Sequence, residues 1–259
     1  MKTVILAGGY GTRLSEETTI RPKPMVEIGG KPILWHIMKL YSHYGINDFI
    51  ICCGFKGEII KEYFTNYHLK NVDVTFDLAK NSFKVHRNGV EKWKVTLVDT
   101  GINSTKNSRI RQIKDYVGRE TFCLTYGDGV SDVNISNLLT FHKDTNATAT
   151  LTAVKSPGRF GAFKLKADET KIKTFKEKPT DNSVWINGGF MVLDPQIFNY
   201  LASDEKDFEE GPLNVLANLG KLHAFKHTGY WQNMDTLRDK MVLEELWKEG
   251  NAPWKIWTK

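Results

Sequence analysis

The chain has 259 residues, 41% of them hydrophobic, and a formal charge of +6. That length can bury roughly three quarters of the unfolded surface, which predicts one large α/β domain or two small ones with a real core. The basic residues are scattered without a long run of like charges, which argues against a nucleic-acid tail or a membrane-binding patch and favours small phosphorylated partners.

The first element is an apolar run at residues 3–7 (TVILA), too short before its glycines for a secretory signal. Nowhere do about eighteen apolar residues run together, so no membrane span is expected and the protein is read as cytoplasmic. Pro32 stands at a predicted helix start, with Ile33, Ile37, Leu40 and Tyr41 on one face and Gly45 closing the run, the pattern of a helix covering a sheet. Strand-like runs recur at 48–53, 95–99 and 121–125, and this alternation predicts a mainly parallel sheet. Cys52, Cys53 and Cys123 lie inside such runs and are expected to be reduced core residues.

Asn88-Gly89 within residues 83–94 predicts a β-hairpin insertion. Residues 148–194 are rich in β-formers with turns at Pro157-Gly158 and Asp181-Asn182, so the later half is expected to be mixed. A last helix is predicted over 236–249, with Leu237, Met241, Leu243, Leu246 and Trp247 as its apolar side. No repeat or linker divides the chain, so residues 1–259 are read as one domain, with the C-terminal helix and tail at 236–259.

The clearest chemical signal follows the first strand. Gly8, Gly9 and Gly11 allow backbone N–H groups to approach a phosphate, and Arg13 adds a planar fork of donors. The loop is neither a dinucleotide fingerprint nor a Walker loop. Lys23, between Pro22 and Pro24, presents a cation from a stiff segment. Asp128, in Tyr126-Gly127-Asp128-Gly129, is expected at the carboxyl end of a strand, where α/β sheets place metal ligands; it reads equally as a turn residue. Asp235 precedes the last helix and reads as an N-cap, a metal ligand or both. With nothing to pair them, Asp128 and Asp235 would repel each other. Glu177, Lys178, Asn187 and Gly188 are groups suited to a sugar phosphate. No zinc spacing and no GxSxG elbow occurs.

Together Ala7 to Leu14, Pro22-Lys23-Pro24, Tyr126-Gly127-Asp128, Glu177-Lys178-Pro179, Asn187-Gly188-Gly189 and Trp231 to Asp235 resemble the sugar-phosphate nucleotidyltransferases, and in the same order. Residues 15–38, 95–101, 157–162 and 231–240 resemble the branch that acts on CTP and glucose 1-phosphate. The resemblance implies a Rossmann-like nucleotidyltransferase fold, a mixed, mostly parallel sheet with helices on both faces. It also implies Mg²⁺, formation of CDP-glucose for deoxysugar and lipopolysaccharide O-antigen precursors, and a homo-oligomer, a hexamer in the cytidylyl branch. Carried over, Leu6, Ala7, Gly8, Gly9, Tyr10, Gly11, Thr12, Arg13, Lys23, Ser104, Arg109 and Gly127 would surround the nucleotide. Arg13, Lys23 and Asp128 would be catalytic, Asp128 and Asp235 would bind the metal, and Glu177, Lys178, Asn187 and Gly188 the sugar phosphate. Where the family usually has two glycines before that arginine, this chain has Asn107-Ser108. The competing readings are a UTP- or dTTP-using relative, a catalytically idle homologue, and a nucleic-acid-binding protein. The joint presence of Arg13, Lys23, Asp128 and Asp235 weighs against an idle homologue, and the lack of a stacking motif against nucleic acid.

Overall fold

A computed structural model describes residues 1–86, 90–155, 162–163, 170, 175–176, 185–201 and 206–257. Its first strand, β1 (Lys2–Leu6), is buried on both faces from Thr3 onward, as a near-continuous apolar run in a covered parallel sheet should be. After it come helix α1 (Ile33–His43), strand β2 (Asp48–Cys53), a pair β3 (Val74–Asp77) and β4 (Ser82–Val85), and strand β5 (Lys94–Asp99). Helix α2 (Lys106–Gln112) leads to β6 (Phe122–Tyr126), β7 (Gly129–Ser131) and α3 (Ile135–Thr145). Then follow β8 (Ala149–Lys155), β9 (Ala162–Phe163), β10 (Phe175–Lys176), β11 (Trp185–Asn187) and β12 (Met191–Leu193). The chain closes with α4 (Pro212–Asn218), β13 (Leu222–Lys226), β14 (Trp231–Asn233) and α5 (Leu237–Lys248).

Among the described residues the main sheet runs in the order β10-β9-β11-β8-β12-β6-β1-β2-β5, with β13 also paired to β8. The half around β1 is parallel: β1 pairs with β2 and β6, and β2 with β5. Beyond β6 the pairing turns antiparallel through β12, β8 and β11, as the β-rich composition of that half predicts. Successive residues feed opposite layers. Ile5, Ile51, Cys53 and Cys123 join the core under α1, while Val4, Leu6, Cys52 and Leu124 join the core on the other face with Ile110 and Leu213. The three cysteines are buried thiols, and burial pushes Cys52 and Cys123 up to about 12.

Three expectations change. Helix α1 is buried on nearly every side, at Leu34, Trp35, His36 and Met38 as well as on the predicted face, because the C-terminal tail wraps it with Trp254 and Trp257. His36 hydrogen-bonds Ile28 O at 2.9 Å and receives the Trp254 indole N–H at 3.3 Å; burial lowers its pKa to about 4, so it is a neutral core residue. Helix α5 buries Leu243 but leaves Leu237 and Met241 exposed. The insertion is a hairpin of β3 and β4 that turns at residues 78–81, where Asn81 takes a positive φ of 46°. Lys94 belongs instead to β5 of the main sheet, while Asn88-Gly89, Pro157-Gly158 and Asp181-Asn182 lie outside the described residues.

Candidate active site

Strands β1 and β6 are parallel neighbours, so their carboxyl ends deliver the glycine loop and the Gly127-Asp128 turn to one edge. Between them opens a cavity of 550 Å³ lined by Leu6, Ala7, Gly8, Gly9, Tyr10, Gly11, Thr12, Arg13, Lys23, Ser104, Arg109, Gly127, Asp128 and Asp235. It is also lined by Ile102, Asn103, Lys106, Tyr126 and Asp207. The size suits a nucleotide-sized ligand. Gly11 has a φ of +65°, and a Cβ there would meet Lys23 Cβ at 3.1 Å, so the loop folds directly over the lysine stem. Gly127 lies against Pro24 and the Leu6 carbonyl, where a Cβ would come within 2.9 and 3.0 Å.

The two aspartates meet through backbone pairing. Strand β14 runs antiparallel to β7 with Asn233 opposite Gly129, and Met234 N–H donates to Asp128 O at 2.8 Å. Lys23 Nζ donates to Asp128 Oδ2 at 2.7 Å and also to Asp235 Oδ1; Arg13 Nη1 donates to Asp235 Oδ2 at 3.1 Å. The carboxylates therefore do not face each other unpaired, as the sequence suggested, but share one ammonium. Burial alone would lower the pKa of Lys23, and the two aspartates outweigh it and raise the value. Burial would likewise raise Asp235, and Lys23 and then Arg13 hold it below the ordinary carboxylate range. Asp235 is not the helix cap. Thr236 takes that role in a capping box with Asp239, leaving the Asp235 carboxylate to the cavity.

Two carboxylates converging on a single cation, here the ammonium of Lys23, form a donor set that fits a hard divalent cation whose shell is completed by phosphate oxygens and water. Among the described residues no group of three or more histidine, cysteine, aspartate or glutamate side chains could hold a metal, so a fully protein-ligated site is not built there.

Arg109 reaches the cavity from α2 but is held by the chain itself. Nη1 donates to Thr100 Oγ1 at 2.7 Å, Gly101 O at 2.8 Å and Cys53 O at 3.3 Å, and Nη2 to Gly8 O at 3.0 Å and Ile102 O at 3.1 Å. A Cβ on Gly8 would sit 2.1 Å from Nη1 and one on Gly54 2.5 Å, so both glycines make room for the guanidinium. The arginine thus pins the glycine loop to residues 100–102. Ser104 donates its hydroxyl to Thr100 O. Tyr10 covers the loop with its hydroxyl on Asn103 Oδ1 at 2.5 Å.

Asn187 and Gly188 do not line this cavity; they stand behind Tyr126, which does, and Asn187, ending β11, donates to the Tyr126 hydroxyl at 3.1 Å. Gly188 is packed against Val154, with its N–H on Thr152 O at 2.8 Å and its carbonyl accepting the Trp231 indole N–H at 2.8 Å. Glu177 and Lys178 lie outside the described residues. Sequence reasoning missed a second charged group: Lys106 Nζ bonds Asp207 Oδ2 at 2.8 Å and Glu209 Oε2 at 2.5 Å. The signal for it was a pair of acids beside the apolar Phe208, which is fully buried.

The nucleotidyl transferase family model matches residues 2–239 of the chain. Glucose-1-phosphate cytidylyltransferases of Salmonella typhimurium and Salmonella typhi are each 56% identical to it over 258 residues, 99% of this chain and 100% of theirs. A crystal structure of UDP-glucose pyrophosphorylase complexed with UDP-glucose superposes with a TM-score of 0.75 at 18% identity, over 96% of this chain and 98% of that one, a likeness of fold. Among the described residues no helix is long and apolar enough to cross a membrane.

Proposed function

The chain belongs to the nucleotidyl transferase family, and from that premise we propose that it transfers CMP from CTP to glucose 1-phosphate, giving CDP-glucose and pyrophosphate. The observation that carries the reading is the Lys23 ammonium held between Asp128 and Asp235 at the mouth of the glycine loop, in a chain 56% identical to glucose-1-phosphate cytidylyltransferase over 99% of its length. An oxygen of the sugar phosphate attacks the α-phosphorus of CTP, the bond to the bridging oxygen breaks, and pyrophosphate leaves with that oxygen. No covalent enzyme intermediate is required, so the protein's work is positioning and charge stabilisation.

In this reading Arg13, 60% exposed at its side chain and tethered among the described residues through Asp235, turns its remaining donors to the triphosphate. Lys23, nearly buried, supplies a cation whose position the aspartates define. Asp128 and Asp235 would hold Mg²⁺, which supplies charge neutralisation on the phosphate oxygens when bound. The Arg109 staple keeps the Gly8 carbonyl and residues 101–102 at fixed separation, forming the wall we assign to the base and ribose with Ser104. Asn187, with Glu177 and Lys178, is assigned to the sugar phosphate. The product suits a cytoplasmic route to deoxysugar precursors of surface polysaccharides.

The test is pyrophosphate release from CTP, UTP, dTTP, ATP and GTP, each with glucose 1-phosphate. CTP is expected to exceed UTP by several orders of magnitude in kcat/KM, because a base-edge mismatch leaves polar groups unpaired. Equal turnover of both overturns the base assignment, and no release with any nucleotide overturns the reaction.

A further inference from the structure

Glu209 is a costly residue to place where it stands. It is only 8% exposed, on a segment plugged into the core by Phe208 at 0%, and a buried carboxylate persists only when its oxygens are paired. Asp207, on the same segment, already ties it to α2: its Oδ1 accepts the Lys106 backbone N–H at 3.0 Å, and its Oδ2 the Lys106 ammonium. Asn107 Nδ2 adds a bond to Lys206 O at 2.6 Å. Docking of the segment therefore does not need Glu209, whose second oxygen turns inward instead. Oε1 accepts the Tyr126 hydroxyl at 2.5 Å, while Oε2 accepts Lys106 Nζ at 2.5 Å.

That bond settles the direction of the hydrogen bond between Tyr126 and Asn187. A carboxylate only accepts, so the phenol proton of Tyr126 points at Glu209 and the phenol oxygen is left as an acceptor. The Asn187 amide accordingly turns its Nδ2 to Tyr126 at 3.1 Å. Its Oδ1 accepts the Gly189 N–H at 2.9 Å, so both ends of the amide agree on one orientation. An amide nitrogen carries two N–H groups and one is used on Tyr126. The other is a donor whose direction is set by those two bonds, on the residue assigned to the sugar phosphate.

We propose that Glu209 is a positioning residue for sugar-phosphate recognition: acting through the Tyr126 hydroxyl, it keeps the phenol oxygen an acceptor, so that the Asn187 amide, already held at Oδ1 by the Gly189 N–H, is held at its nitrogen end as well. The proposal rests on the assignment of Asn187 to the sugar phosphate. With the carboxylate gone, the phenol can turn its proton toward Asn187 Nδ2, donor then faces donor, and the amide is left anchored at Oδ1 alone, free to swing its second N–H off the substrate.

Steady-state kinetics test this on Tyr126→Phe, Glu209→Gln, Asn187→Ala and the double variant Tyr126→Phe/Asn187→Ala, varying each substrate at saturating levels of the other. Each single variant is expected to raise KM for glucose 1-phosphate roughly tenfold, the effect of one lost substrate hydrogen bond, with kcat and KM for CTP within about twofold. The double variant is expected to match Asn187→Ala alone, because Tyr126 acts only through that amide. Multiplying effects in the double variant, or losses that fall on kcat and on CTP instead, overturn the positioning role while sparing Asn187. An unchanged KM for glucose 1-phosphate in Asn187→Ala removes the assignment of Asn187, and the proposal with it. Should Glu209→Gln fold poorly, Tyr126→Phe carries the test, since it removes a single hydroxyl.

Discussion

Two lysines in this cavity are each gripped by two carboxylates, and they are built for different ends. Lys23 stands between Asp128 and Asp235, with Arg13 on the outer oxygen of Asp235. Lys106 stands between Asp207 and Glu209, with Tyr126 on the inner oxygen of Glu209. Burial opposes the charge of both ammoniums, and their carboxylates raise both pKa values above the ordinary lysine value. The difference lies in the backbone beneath. The first pair of acids borders paired strands, Asp128 directly before β7 and Asp235 just after β14, locked by the β7–β14 pairing, and Asp128 keeps 31% of its side chain open. The second stands on one irregular segment, where the ion pairs themselves do the docking. Charge clusters on rigid elements can act on a ligand, whereas those on loops first hold the loop.

That contrast is broken or sharpened most severely by Lys23→Met. Turnover is expected to fall about a thousandfold, as for loss of one preorganised charge stabiliser. The melting temperature should also fall, because the aspartates then repel. Activity near wild type with a lowered melting temperature would make the cluster a structural tie. Arg13→Ala comes next, with about a hundredfold lower kcat from roughly 3 kcal/mol of lost stabilisation and an almost unchanged melting temperature, since Arg13 is mostly exposed with one carboxylate partner. A variant that unfolds easily yet turns over normally would contradict its place at the phosphates.

Lys106→Met should reverse the pattern. Thermal unfolding should show a loss of about 1–3 kcal/mol from leaving a buried carboxylate unpaired, with kcat reduced less than tenfold. A larger loss of kcat than in Arg13→Ala would erase the distinction between the clusters. The smallest effect is in acid. The folded pKa of Asp235 is depressed, so its contribution is fully present above the ordinary carboxylate value of about 4 and is lost as pH falls through the depressed value. The melting-temperature gap between wild type and Asp235→Asn should therefore close as pH falls below about 4. A gap that widens there would contradict the ion pair.

Strands β1, β2 and β6 were legible because a strand buried on both faces is a plain apolar run, and β5, half-buried at the sheet edge, by its β-branched Val95, Thr96 and Val98. Asn88-Gly89 misled because a turn dipeptide predicts a hairpin only when its flanks pair, and Lys94 onward pairs with β2 instead. Arg109 was readable as an arginine near the nucleotide loop, yet its five bonds go to carbonyls and a threonine hydroxyl scattered from Gly8 to Ile102, which no local pattern encodes. The cap at Thr236 had a local signal, threonine with an acid three residues on, and reading it would have released Asp235 from that role in advance. The meeting of Asp128 with Asp235 depends on pairing between strands of three residues each, far apart in the chain and too short to announce themselves.

The central claim is that Asp128, Asp235 and the cation between them act as one unit at the reacting phosphates. Turnover of Asp128→Asn, Asp235→Asn and the double variant, measured with CTP and glucose 1-phosphate across a Mg²⁺ titration, tests it most directly. Each single change should lower kcat by at least about a hundredfold, and the double variant should be little worse than either, as for residues that act together. Near-normal Mg²⁺-dependent turnover in Asp235→Asn beside an inactive Asp128→Asn, or a double variant whose loss is the product of the two, would contradict it.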